Sequence, residues 1–257
     1  MNQYIETEII NRVGYIFMNR PKANCYEINF MQELAGEIQQ FIADPEVKVI
    51  VLASRLKKFF SAGADIKIFE ANTVEENQAM VLAARKAANL LSDSPKITIA
   101  AVNGHALGGG LELAMACDIR LGMAGEYLLG LPEIKLGLIP GNGGSQRLVR
   151  LVGRVRALEI LITGDSFGPD KALDYQLFNH LFSGEEFDQQ VKDFAENLAR
   201  GPLKAMEATK KCVYHGGERS FAEGMALEQA AVDPLYDTPD AKEGYQAFLE
   251  KRLPVFE

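Results

Sequence analysis

The stretch NGHALGGGLELAMACD, Asn103 to Asp118, sets three consecutive glycines and a single carboxylate, Glu112, among small apolar side chains. It follows a buried-strand run, ITIAAV, Ile97 to Val102, and passes into LELAMAC, whose spacing is helical. A strand, a glycine loop and a helix start in this order leave backbone N–H groups without intrahelical partners, and glycines let a ligand approach them closely. Phosphate is one guest for such groups, but the loop has no P-loop Lys-Ser/Thr and its glycines lack the G-x-G-x-x-G spacing. A developing oxyanion fits better. Glu112 comes three residues after Gly109, so in a helix its side chain rises on the same face as that N–H. A helical Glu ordinarily reaches solvent or an arginine, whereas Leu111, Leu113, Ala114 and Met115 predict a helix covered on most sides. A carboxylate in that setting has its pKa raised, which suits acid–base work.

Outward from this stretch, the first half alternates strand-like and helical runs. YIETEII and VGYIFM, joined by Asn11-Arg12, predict a hairpin. Asn29 with Gln32 reads as a capping box that opens a helix closed by Asp44-Pro45, and VKVIVLA follows as a strand. Thr73 with Glu76 is a second capping box, starting a helix to about Leu91, and the strands after it are expected to run parallel. Beyond Pro140 nearly everything reads as helix: SQRLVRLVG, VRALEILITG, EEFDQQVKDFAENLA, PLKAMEATKKCV with its Pro in the first turn, and AKEGYQAFLEKR. The expectation is an α/β core over residues 1–195 carrying a helical region over 196–257.

With 257 residues, 47% hydrophobic and 24% charged, the chain has the composition of a globular protein with one large or two small domains. MNQYIETEII has neither a basic start nor an apolar core, and no run of about 18 apolar residues occurs later, so neither export nor a membrane anchor is expected. Three cysteines, odd in number and far apart, argue against a disulfide framework or a zinc site, and a cytoplasmic location is expected. His105 has no His or Cys partner at metal spacing, and Cys117 reads as core. A net charge of −8 disfavours nucleic acid as a partner, and an anionic ligand would need a local basic patch.

Two further motifs complete the pattern. FFSAGADIK places small residues Ser61 to Ala64 before Asp65, and LGLPEIKLGLIPGNGG places Glu133 after Pro132 and ahead of a glycine-rich turn. Each alone is only a turn. Together with the glycine stretch and the ending EGYQAFLEKRLPVF, they resemble the crotonase, or enoyl-CoA hydratase/isomerase, superfamily over nearly the whole chain.

That resemblance implies a crotonase-like spiral of repeated ββα units with a C-terminal helical oligomerisation region, a homotrimer or dimer of trimers. It implies hydration of trans-2-enoyl-CoA to 3-hydroxyacyl-CoA, with coenzyme A entering as part of the substrate, no separate cofactor and no metal. Enoyl-CoA isomerisation or another crotonase-type reaction is the first alternative, and a noncatalytic CoA- or RNA-binding homologue the second. By motif position, the N–H groups of Ala64 and Gly109 are the expected oxyanion donors. Glu112 is expected to activate the water, Glu133 to deliver the Cα proton and Gly141 N–H to help hold the water. Ala62, Asp65, Ile66 and Lys67 resemble the stretch that follows the CoA moiety, and Phe248 and Lys251 the C-terminal contact made from a neighbouring subunit. The chain departs from the family's common Asn-Ala-Leu at Asn24-Cys25-Tyr26, carries Leu129 where Phe is common, and separates its two glutamates by one residue more than usual.

Overall fold

The computed structural model describes residues 4–256. Residues 1–3 and 257, which the two expected units include, lie outside the described residues. Strands β1 (Ile5–Ile10) and β2 (Val13–Met18) form the expected antiparallel hairpin. Its turn residues Asn11 and Arg12 both have positive φ, 49° and 68°, the backbone that a two-residue hairpin loop demands. Helix α1 (Ile28–Ala43) follows, then β3 (Val49–Ser54), the short β4 (Phe59–Ser61), α2 (Ile66–Ala71) and α3 (Val74–Ser92). Next come β5 (Ile97–Val102), β6 (His105–Leu107), α4 (Gly109–Ala116), β7 (Ile119–Met123), β8 (Leu129–Gly130) and a 3-10 turn, Pro132–Leu136. Each of these three rounds sends a long strand into one sheet and a short strand into another before a helical segment, the repeated ββα spiral.

After the third round come α5 (Gly144–Val152), α6 (Arg154–Thr163), α7 (Pro169–Asp174), β9 (His180–Phe182) and α8 (Phe187–Ala199). Helices α9 (Leu203–Lys211), α10 (Phe221–Val232) and α11 (Pro239–Glu250) end the chain. The larger sheet runs β1-β2-β3-β5-β7-β9, parallel from β2 onward, and the smaller β4-β6-β8.

The apolar runs of β3 and β5 are continuous because both faces of the sheet are covered. Ile50, Leu52, Ala100 and Val102 pack in the larger core with Leu34, Ile38, Ala84 and Ala88 of α1 and α3. The alternate residues Val49, Val51, Ile99 and Ala101 meet Phe187, Val191, Ala195 and Ala199 of α8 on the other face. The division at 195/196 falls inside α8, whose residues on both sides of it pack against the sheet.

Several local expectations are corrected. Helix α1 begins at Ile28 with Glu27 at its N-cap and no side-chain cap, so the Asn29 and Gln32 capping box does not form. The chain entering α1 is fixed by backbone pairing instead, Tyr26 N–H to Gly63 O and Asp65 N–H to Tyr26 O, each at 2.9 Å. Pro202 sits at the N-cap of α9, just before the helix rather than in its first turn. The Thr73 and Glu76 capping box is present at α3.

Candidate active site

The glycine run is the junction of β6 with α4, and each glycine there answers a separate constraint. Gly108 has φ 52° and ψ −128°, a backbone that an L side chain rarely adopts. A Cβ on Gly110 would lie 2.2 Å from the Ser61 carbonyl oxygen, and one on Gly109 would lie 1.9 Å from the Tyr26 hydroxyl oxygen. The parallel pairing of β4 with β6 lays the Ser61–Ala64 segment alongside the glycines. A Cβ on Gly63 would come within 3.2 Å of the Gly109 nitrogen. The two stretches singled out in the sequence therefore meet at the start of α4.

They open on a cavity of about 320 Å³. Ala62, Ala64, Ile66, Gly109, Glu112, Glu133 and Gly141 all line it, so seven of the eleven residues expected at the site come together. Its apolar walls come chiefly from Phe69, Met80, Val81, Leu138 and Ile139. Asp65 and Lys67 do not line it. Asp65 instead forms an ion pair with Arg20 at 3.3 Å, and Lys67 is exposed. Phe248 and Lys251 are exposed on or beside α11 and do not line the cavity within one chain.

Glu112 lies on the first turn of α4 and is buried. Its Oε1 accepts the backbone N–H groups of Asn142 and Gly144, both at 2.7 Å, and it makes no ion pair among the described residues. Burial pushes its pKa up, against the pull of those two N–H groups. Glu133 stands on the 3-10 turn after Pro132, its Oε1 against the open side of Gly108 and its Oε2 buried without a hydrogen-bond partner among the described residues. Burial, with Glu112 adding a smaller repulsion, raises its pKa to about 7. A carboxyl poised there can hold or release a proton near neutrality.

The raised pKa has a consequence for stability. A carboxyl that binds its proton more tightly when folded contributes stability below its unfolded pKa of about 4.3 and loses it as pH rises through the folded value. Glu133→Gln removes that loss. The melting temperature of the variant, relative to the parent, is expected to climb between pH 5 and pH 8; a constant difference would contradict the assignment.

Four residues at the site escaped the sequence reading as participants. The Tyr26 hydroxyl accepts from Asn142 Nδ2 at 2.8 Å, inside the cavity wall. Behind the wall, Arg85 donates to the Gly141 carbonyl at 2.8 Å and Arg147 to the Asn142 carbonyl at 2.5 Å, fixing the turn that holds Glu112. Tyr26 was visible only as a departure at the Asn-Cys-Tyr motif. The Arg85 contact spans 56 residues and leaves no local sequence signal, whereas Arg147 reaches back only across the turn that opens α5. A larger cleft of about 800 Å³ lies beside α3, α5 and α9; of its cations, Lys210 pairs with Asp118, Arg150 with Glu218, and Arg147 with Asn89.

A two-sheet spiral with a glycine-cradled helix start, and one buried and one half-buried carboxylate on one cavity, defines the class. A profile of the enoyl-CoA hydratase/isomerase family matches residues 8–257, and the chain belongs to that family. It is 38% identical over 248 residues to the putative enoyl-CoA hydratase/isomerase YngF of Bacillus subtilis, covering 95% of this chain and 94% of that one. It is 37% identical over 247 residues to the crotonyl-CoA hydratase of Syntrophomonas wolfei, with 95% and 94% covered. The crystal structure of an enoyl-CoA hydratase from Bacillus anthracis superposes with a TM-score of 0.95 at 33% identity, covering 99% of both chains. The fold is thus the crotonase-type α/β spiral with C-terminal helices. Among the described residues no helix is long and apolar enough to cross a membrane.

Proposed function

We propose that the protein reversibly hydrates trans-2-enoyl-CoA thioesters to 3-hydroxyacyl-CoA. The observation that carries this reading is that Glu112 and Glu133 face one cavity beside Gly109 and Ala64. Adding water across Cα=Cβ needs a base for the water and an acid for Cα. Glu112, held by two N–H groups on Oε1, takes a proton from the water as its oxygen bonds to Cβ. The π electrons move toward the thioester carbonyl, whose oxygen gathers negative charge between the N–H groups of Ala64 and Gly109. Glu133 then gives its proton to Cα as the enolate collapses, the proton taken up by Glu112 passes back to Glu133, and the net change is one water added. The two carboxyls titrate as a coupled pair. Gly141 lies on the same wall, where its N–H would help hold the water.

In this reading the reaction is redox-neutral, coenzyme A arrives with the substrate, and neither a metal nor a separate cofactor takes part. Isomerisation between 2- and 3-enoyl thioesters would need one main carboxyl, and the burial of Glu112 beside the cavity favours hydration. Purified protein assayed against trans-2-enoyl-CoA of graded chain length, alongside 3-enoyl isomers, tests this. Hydration is expected to be the faster reaction; isomerisation without hydration would overturn it.

We also propose that the site is completed in a homotrimer or dimer of trimers. Phe248, Leu249 and Leu253 are 83%, 79% and 87% exposed at the C-terminal end, an apolar surface that a second copy of this chain would cover. Lys251 stands beside them, where it would reach a neighbour's CoA. Replacing Leu249 and Leu253 with Asp is expected to reduce the assembly to smaller species in sedimentation and weaken CoA-thioester affinity together. An unchanged assembly, or a monomer with full affinity, would contradict the shared site.

A further inference from the structure

We propose that Tyr26 is a catalytic residue, whose hydroxyl donates a hydrogen bond to the oxygen of the water or β-hydroxyl that Glu112 and Glu133 handle. This rests on the hydratase reading. Tyr26 is buried, yet its side chain lines the cavity together with both glutamates and Asn142. Its oxygen accepts from Asn142 Nδ2 at 2.8 Å, which leaves its own proton available to a group in the cavity. None of the described residues takes that proton. A buried donor left without an acceptor is costly, and its place here is on the wall of the reaction cavity.

Two further observations fix what it can reach. Asn142, the partner of the phenol, uses its backbone N–H to hold Glu112 Oε1 at 2.7 Å, so the hydroxyl lies one asparagine side chain from the carboxylate that meets the water. The Asn142 Oδ1 atom is buried without a partner among the described residues, as is Glu133 Oε2. The wall thus combines one uncharged donor with acceptors, the pattern that suits a hydroxyl or water, which both accepts and donates. Burial, and next the charge of Glu112, hold the phenol neutral, so it donates rather than acting as a base. The ring also lies against Gly109, which places its hydroxyl on the oxyanion side of the cavity rather than at the far apolar end.

Tyr26→Phe deletes the hydroxyl and keeps the ring. The test measures kcat and KM for hydration of trans-2-enoyl-CoA, dehydration of the 3-hydroxyacyl-CoA, affinity for a saturated acyl-CoA of the same length, and melting temperature. The expected result is a fall in kcat of about tenfold or more in both directions. KM and saturated acyl-CoA affinity are expected to stay within about threefold, since a saturated chain offers no oxygen at Cβ. Hydration within twofold of the parent would overturn the proposal. Equal losses of kcat and saturated acyl-CoA affinity would overturn it too, making Tyr26 a packing residue of the oxyanion side. A parent that does not hydrate at all would sink the hydratase reading itself, and the parent's own rate distinguishes that failure from failure of the Tyr26 assignment.

Discussion

Glu112→Gln is expected to lower kcat for hydration by about 10³-fold while leaving the protein folded and acyl-CoA bound. The amide retains an oxygen in place of Oε1, so the N–H groups of Asn142 and Gly144 keep their acceptor. What disappears is the ability to take a proton from water. Glu112→Ala would confound the result, because it leaves two buried N–H groups unpaired at about 1–3 kcal/mol each. Steady-state kinetics with a melting curve for each variant separates the two effects. Near-normal hydration by the folded Gln variant would make Glu133 the sole catalytic carboxyl and contradict the two-carboxylate mechanism.

Gly109→Val carries the second large effect, about 10²- to 10³-fold in kcat, comparable to the loss of one oxyanion donor. The nitrogen remains, but the new side chain begins 1.9 Å from the Tyr26 hydroxyl oxygen and must displace that ring or the start of α4. A shift of the start of α4 moves the Gly109 N–H away from the carbonyl oxygen it is proposed to meet, and a displaced ring takes the Tyr26 hydroxyl out of its place in the cavity wall. The same clash costs stability, so circular dichroism and a melting curve belong with the assay. A folded variant with full activity would remove Gly109 from the oxyanion site.

The parts of this structure that were legible are those whose signal is local. The capping box at Thr73 and Glu76, the continuous apolar run at Ile97–Val102 and the Asn11-Arg12 turn each declare themselves within a few residues. So does the glycine run, because the close approach of Ser61 and Tyr26 leaves no room for a Cβ. The smaller sheet was not legible: β4, β6 and β8 hold three, three and two residues, too few for alternation to show. Strand β9 is likewise three residues long and is held by pairing with β7 from far along the chain. Helix α10 could have been found, since Ser220 and Glu223 form a capping box at its start.

At the site, the glycines and both glutamates stood out because a carboxylate in oily sequence and a turn fixed by Pro132 are local features. Tyr26 did not. Its importance comes from the backbone pairing that ties it to Gly63 and Asp65, and from a side-chain contact 116 residues away in Asn142. Asp65 illustrates the converse: a carboxylate beside a promising motif that Arg20 takes up instead.

The measurement that bears most directly on the two-carboxylate mechanism is a double-mutant cycle in hydration, comparing Glu112→Gln, Glu133→Gln and the double variant at one pH near neutrality. If both groups act on one water and one enoyl thioester, each single variant loses nearly all turnover and the double is scarcely worse than the poorer single. Losses that multiply, or a Glu112→Gln enzyme that hydrates at close to the parent rate, would show that the two glutamates do not share the reaction.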